Sequence, residues 1–202
     1  MKEDTMAEKI LTPFKKIVHF VEKRKIPSTN KSTYTVSPEK IIELCEMIAD
    51  ETGFPEKDSL KIAAEFCDIG EISINEGILQ KKEPLSESEW DIIKNHPKES
   101  VAIIENVLDY FFADKKRIKN FILYHHPWYE NKGYLPEKMD ELSSFGCRIL
   151  AACLAYSAMK SPRYYRGKLN YPEIIKSLEN EMVDRFDPEI ITLIIKITRG
   201  ES

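Results

Sequence analysis

The chain has 202 residues, of which 42% are hydrophobic and 32% charged, and a net charge of -4. That length and apolar content support one packed domain and exclude general disorder, while the acidic balance excludes nucleic-acid binding by bulk charge. No run of about 18 apolar residues reads as a membrane span, and the charged start, MKEDTMAEKI, has no apolar centre of a secretion signal, so a cytoplasmic location is expected.

Apolar spacing is helical almost throughout. Ile10, Leu11, Phe14, Ile17, Val18 and Val21 predict an N-terminal helix, and the turn-forming stretch from Pro27 to Pro38 predicts a linker. Residues 1–36 are therefore expected to be an N-terminal helix and linker, a docking or dimer segment ahead of the domain at 37–202. Ser37-Pro38-Glu39-Lys40 reads as an N-cap followed by proline at the first helical position, opening a helix that Gly53 ends. A short helix from about Ser59 to Cys67 runs into Asp68-Ile69-Gly70, and 72–85 is expected to be an ordered loop. Ser86-Glu-Ser-Glu89 opens a helix carrying Trp90 and Ile93, with His96-Pro97 near its end. Val101, Ile104, Val107 and Leu108 mark the next helix; Ile118, Phe121, Ile122 and His125 share a stripe of a further one. Pro127 to Pro136 must be loop. Cys147, Leu150, Ala151 and Leu154 share a helical face, and two C-terminal helices carry Ile174, Ile175, Leu178 and Met182, then Ile190, Ile191, Ile194 and Ile197. Strand alternation is essentially absent. The fold class is all-α, a compact bundle of eight to ten helices.

Four cysteines, Cys45, Cys67, Cys147 and Cys153, form no CxxC pair and lie in apolar helical surroundings, which reads as buried reduced thiols. With only four histidines in the chain, metal or acid–base chemistry has few imidazoles to draw on. Three of them, His96, His125 and His126, fall at helix ends or on an apolar stripe, and Asp68 sits where a helix meets a glycine-containing turn. A carboxylate with imidazoles suits Fe, Mn or Zn. Adjacent histidines on one helix point about 100° apart, so His125 and His126 can serve one ion only near a helix end. By spacing alone these histidines fit satisfied core or surface positions as well as ligands. His19 reads as structural, and Lys115-Lys116-Arg117 with Lys119 as a solvated helix face.

The run Cys67-Asp68-Ile69-Gly70-Glu71 resembles the HD-x-G-K turn of HD-superfamily phosphohydrolases, and the residues after it resemble their HD-GYP group, the cyclic di-GMP phosphodiesterases. Ile78-Leu79-Gln80-Lys81, Leu85 to Trp90 and Asn95-His96-Pro97 come in that group's order. His125-His126, then six residues, then Gly133-Tyr134-Leu135 is similar to its HH…GYP pattern. Arg148 to Ala151, Arg163-Tyr-Tyr-Arg166 and Phe186-Asp187-Pro188 also have counterparts, so the resemblance covers Ser37 to Ile197. It implies an HD-type helical bundle with metal ligands at Asp68, His96, His125 and His126. It further implies phosphate contacts at Arg163 and Arg166, which by themselves also fit solvated or salt-bridged surface arginines, and a partner loop at Gly133, Tyr134 and Leu135 that contacts proteins such as diguanylate cyclases, Tyr134 being alternatively an anchor packed on the core. Trp128 and Tyr129, in the loop after the histidine pair, read as base-stacking or protein-contact aromatics.

The departures from the pattern fall on one side of the site. Ser37 and Cys67 stand where the family has histidines, Glu71 where it has a lysine, Leu154 where it has a late aspartate, and Leu135 where it has the GYP proline. The retained residues chiefly serve one metal, so the resemblance implies at most one divalent ion instead of a bridged cluster, and the site could hold none. The expectation is a degenerate HD-GYP-type domain, impaired in hydrolysis, acting by binding cyclic di-GMP, a related nucleotide or a protein. The alternatives are a working metal-dependent phosphohydrolase with a mononuclear or rebuilt site, and a scaffold with an empty one. Neither a membrane nor DNA is an expected partner.

Overall fold

The structure is a computed structural model that describes residues 38–111, 115–126, 139–161, 167–182 and 184–200. The expected N-terminal helix with His19, and Ser37, Trp128, Tyr129, Gly133, Tyr134, Leu135, Arg163 and Arg166, lie outside the described residues.

The elements are helical and no strand occurs among the described residues: α1 (Pro38–Thr52), α2 (Lys57–Phe66), a 3-10 turn (Ile69–Ser73), α3 (Glu76–Leu79), α4 (Glu87–Lys94), α5 (His96–Phe111), α6 (Lys116–Leu123), α7 (Glu141–Met159), α8 (Tyr171–Lys176) continuing into a π turn (Ser177–Glu181), and α9 (Pro188–Thr198). The expected all-α class is what the chain adopts.

Local chemistry sets most boundaries. Gly53 takes the left-handed conformation, with φ 65°, that lets the chain leave α1. Ser86 and Glu89 form a capping box at the start of α4, and Asn170 and Glu173 repeat the device at α8. Asp140 and Asp187 cap α7 and α9 by accepting the N–H groups of Ser143 and Glu189.

Helices α1, α2, α6 and α7 enclose the core, and α9 packs on α1 and α7. Ile48, Leu60, Ile118, Phe121, Ile122, Ile149, Leu150, Ile190 and Ile194 are fully buried in it. At about 1.5–3 kcal/mol per fully buried large apolar side chain, burial of this kind drives the assembly. Helix α7 is long and apolar enough, at 19 residues and a mean hydropathy of 1.3, to cross a membrane by length and composition alone; in the structure it is a central core helix, 61% buried. All four cysteines are free and buried, as expected.

Three stretches depart from the sequence reading. Residues 72–85 contain the end of the 3-10 turn and the single turn α3, which the Asn75 side chain caps by accepting from the Gly77 N–H at 2.8 Å. One turn is too short to show an apolar repeat. His96 begins α5 instead of closing α4: the chain breaks helix at Asn95, and Pro97 falls in the first turn of α5, where its missing N–H costs nothing. The basic run in α6 is also less solvated than expected. Arg117 donates to Asp140 at 2.6 Å and to the Ser143 hydroxyl at 3.0 Å, and Lys119 pairs with Glu105.

The contact between α6 and α7 leaves no room for a larger residue at Gly146. A Cβ there would come within 2.5 Å of Phe121 Cζ and 3.0 Å of Phe54 Cζ, both rings being buried. Overpacking of this kind costs about 1–3 kcal/mol, against about 1 kcal/mol that alanine gains in helix propensity. Gly146→Ala should therefore lower the thermal midpoint by several degrees in circular dichroism; an unchanged or raised midpoint would show that Phe121 yields.

Candidate metal centre

Three chain segments meet at one point beside the core. Asp68 lies between α2 and the 3-10 turn, His96 opens α5, and His125 and His126 follow α6 just past its last residues. The 3-10 turn packs against α5, and α6 against both α2 and α5, so the three segments are held by the same helices that make the core. One ligand atom from each of Asp68, His96, His125 and His126 lies within 4.8 Å of all the others. Position past a helix end resolves the problem of adjacent histidines. The chain leaves α6 at Tyr124 (φ -122°, ψ 30°), and the rings of His125 and His126 come to 4.0 Å between centroids.

Both buried rings are oriented from behind. His96 Nδ1 lies 2.7 Å from the carbonyl of Ile93, and His125 Nδ1 lies 2.7 Å from the carbonyl of Ile122. A carbonyl only accepts, so each Nδ1 carries the proton and each Nε2 presents a lone pair inward. Those two Nε2 atoms are 3.1 Å apart, and each is near Asp68 Oδ1, at 3.4 Å from His96 and 3.2 Å from His125. Backbone-anchored imidazoles facing a carboxylate form the donor set that a divalent cation takes, with the outer hydrogen bonds that fix its ligands. The residues present therefore fit a metal ion.

The titration behaviour agrees. Burial pushes the Asp68 carboxyl up, but hydrogen bonds from His125 and His96, with their charge, outweigh it and hold Asp68 well below the usual carboxylate range. Burial pushes His96 down, yet its hydrogen bond to Asp68 and that carboxylate's charge win, and its value rises above the ordinary 6.5. His126 is the exposed member of the set, but the crowding around its ring, with the charge of His125, pushes it down to about 3. It is neutral at physiological pH, as a ligand must be.

Three of the residues that depart from the family pattern, Cys67, Leu154 and Glu71, are also placed. Cys67 is 1% exposed, its thiol points to the Ala64 carbonyl at 3.8 Å, and burial pushes its value well above that of a free thiol. A thiol of that kind is packing, not a thiolate donor. Leu154 lies on α7 against the core. Glu71 is close enough to raise both His96 and Cys67 by its negative charge. Sequence reasoning missed Ser100, whose fully buried hydroxyl touches the turn carrying Asp68; a serine four residues after a histidine gives no signal by itself.

Imidazolium must lose its proton to ligate, so acid competes with metal. Because His96 is raised, the competition should begin above pH 6.5, whereas Asp68 is too acidic to contribute. Apparent zinc affinity should fall as the pH drops from 7 to 5, approaching but not exceeding about tenfold per unit for this one competing proton. Calorimetric titrations at several pH values measure this, and a flat affinity would contradict the ligand set.

Comparison with known proteins places these features. The family model described as "HD domain" matches residues 19–190. The chain is 24% identical over 160 residues to the cyclic di-GMP phosphodiesterase response regulator RpfG of Xanthomonas campestris pv. campestris, covering 78% of this chain and 42% of that protein. It is 26% identical over 197 residues to the 3'3'-cGAMP-specific phosphodiesterase 3 of Vibrio cholerae, covering 96% of this chain and 40% of the relative. The chain thus spans about two-fifths of the length of these relatives. Among solved structures it is similar to Bd1817, an HDG"Y"P protein from Bdellovibrio bacteriovorus, with a TM-score of 0.64 and 17% identity over 96% of this chain and 61% of that one. The chain belongs to the HD-domain family, and its helices follow the HD-GYP form of that fold.

Proposed function

We propose that this chain is a degenerate HD-GYP-type domain of cyclic dinucleotide signalling that holds one divalent ion, Fe, Mn or Zn, and acts by binding a nucleotide or a protein instead of by efficient hydrolysis. The observation that carries this reading is the converging group of Asp68, His96, His125 and His126, the single one among the described residues, beside a buried Cys67 thiol that offers no further ligand. The names of the relatives support cyclic di-GMP or cGAMP as the class of ligand.

When bound, the ion would polarise a phosphoryl oxygen as a Lewis acid. The chain's own residues account for the rest. His96 and His125 keep their Nε2 lone pairs aimed inward through the Nδ1 bonds to Ile93 and Ile122. Asp68 supplies the negative charge that neutralises part of the ion. Glu71 adds a second carboxylate near His96, and an anion beside an anionic diester disfavours charge build-up on the phosphoryl oxygens. With the carboxylate of Glu71 in place of the family's lysine, and one ion instead of two, the increase in negative charge during attack on phosphorus would be poorly stabilised. Arg163 and Arg166 are proposed to hold the ligand's phosphates, a task suited to the arginine fork. Gly133, Tyr134 and Leu135 are proposed as the loop that contacts a protein partner such as a diguanylate cyclase.

The test combines metal analysis with an assay. The purified chain should bind about one Mn or Zn per molecule, and His125→Ala should weaken that binding by more than the ten- to hundredfold typical of losing an outer-shell partner. Incubated with cyclic di-GMP, cGAMP or the linear dinucleotide during a Mn titration, it should turn over more slowly than about one per minute, far below ordinary enzymes. Faster turnover that disappears in His125→Ala would establish a working phosphodiesterase and overturn the impaired reading.

A further inference from the structure

We infer that Ser100 is a positioning residue that sets the Asp68 carboxylate for metal binding by clamping the turn on both sides of it; this rests on the metal reading above. Ser100 is fully buried in α5. Its hydroxyl donates to the Cys67 carbonyl at 2.6 Å and accepts from the Gly70 N–H at 2.8 Å. The first bond ends on the peptide group just before Asp68, the second on the peptide two residues beyond it. A serine hydroxyl has one proton to give, and here it is given to the turn. Both backbone groups are removed from water, so each needs the partner that Ser100 supplies.

The clamp works because the turn lies flush on α5. A Cβ on Gly70 would lie 2.6 Å from the Ser100 nitrogen and would also strike the His96 carbonyl, so only glycine permits this approach. His96 and Ser100 are four residues apart, on one face of the helix. One face of α5 therefore presents a ligand directly, through His96, and fixes the backbone of another, through Ser100. With Cys67 and Gly70 held, the Asp68 side chain reaches Oδ1 contacts of 3.4 and 3.2 Å to the two imidazoles from a defined root. The bond into the turn is the counterpart of the Ile93 and Ile122 carbonyls behind the histidines, acting on the backbone instead of on the ring.

The test compares zinc affinity, by chelator competition, and the visible spectrum of the cobalt-loaded protein in the unaltered chain, Ser100→Ala and Ser143→Ala. Ser143 is an equally buried serine that bonds Asp140 away from the metal residues, so its loss reports stability alone. Ser100→Ala should lose tenfold or more in zinc affinity and show altered cobalt bands, while Ser143→Ala keeps both at the unaltered values. Ser100→Cys, which keeps the approximate volume and a weaker donor, should fall between and carries the comparison if the alanine variant does not fold. Unchanged affinity and spectrum in the Ser100 variants, or an equal loss in Ser143→Ala, would overturn the inference while leaving the metal reading intact. Failure of the unaltered chain to bind zinc or cobalt would overturn both.

Discussion

The site is built around one electrostatic conflict: electron-pair donors from three separate segments are held within hydrogen-bonding reach of each other. His96 Nε2 and His125 Nε2 stand 3.1 Å apart, with Asp68 Oδ1 close to both. Because each ring spends its other N–H on a backbone carbonyl, neither Nε2 carries a proton of its own in the neutral ring. Such an arrangement is stable only with positive charge among the donors. The hydrogen bonds and opposite charges shared by these groups raise His96 and lower Asp68 together. Under the proposed function, a divalent ion would supply that positive charge.

The rest of the fold holds these groups in place. Core packing of α1, α2, α6 and α7 fixes where α2 and α6 end, and three of the candidate ligands, Asp68, His125 and His126, lie just past those ends. The outer contacts come from backbone carbonyls of the preceding turns, which cannot move without unwinding their helices. Ser100 extends the same principle to the turn after α2. Cys67 is buried and Leu154 packs partly buried against the core, so neither adds a ligand to the four among the described residues.

Much of this was legible in the sequence because the elements that matter are long and amphipathic. Apolar spacing placed α1, α5, α7 and α9, and the proline and glycine at the ends of α1 marked its limits. The four candidate ligands were legible only through the resemblance: a lone histidine after a tripeptide such as Ile-Lys-Asn carries no spacing signal. Pairing of His125 with His126 looked unfavourable on a helix, and its geometry depends on the chain leaving α6 one residue earlier, a tertiary effect. The one-turn helix α3 and the break at Asn95 were missed because caps and single turns leave no periodic trace. The clamp by Ser100 joins residues 30 and 33 positions apart in the chain, and no local pattern announces it.

Asp68, His96, His125 and His126 are proposed to form one mononuclear centre. Anomalous diffraction from crystals grown with zinc should show a single peak about 2.0–2.2 Å from a nitrogen of each of His96, His125 and His126 and from an Asp68 carboxylate oxygen. Two peaks bridged by Asp68, or no peak among these residues, would contradict it.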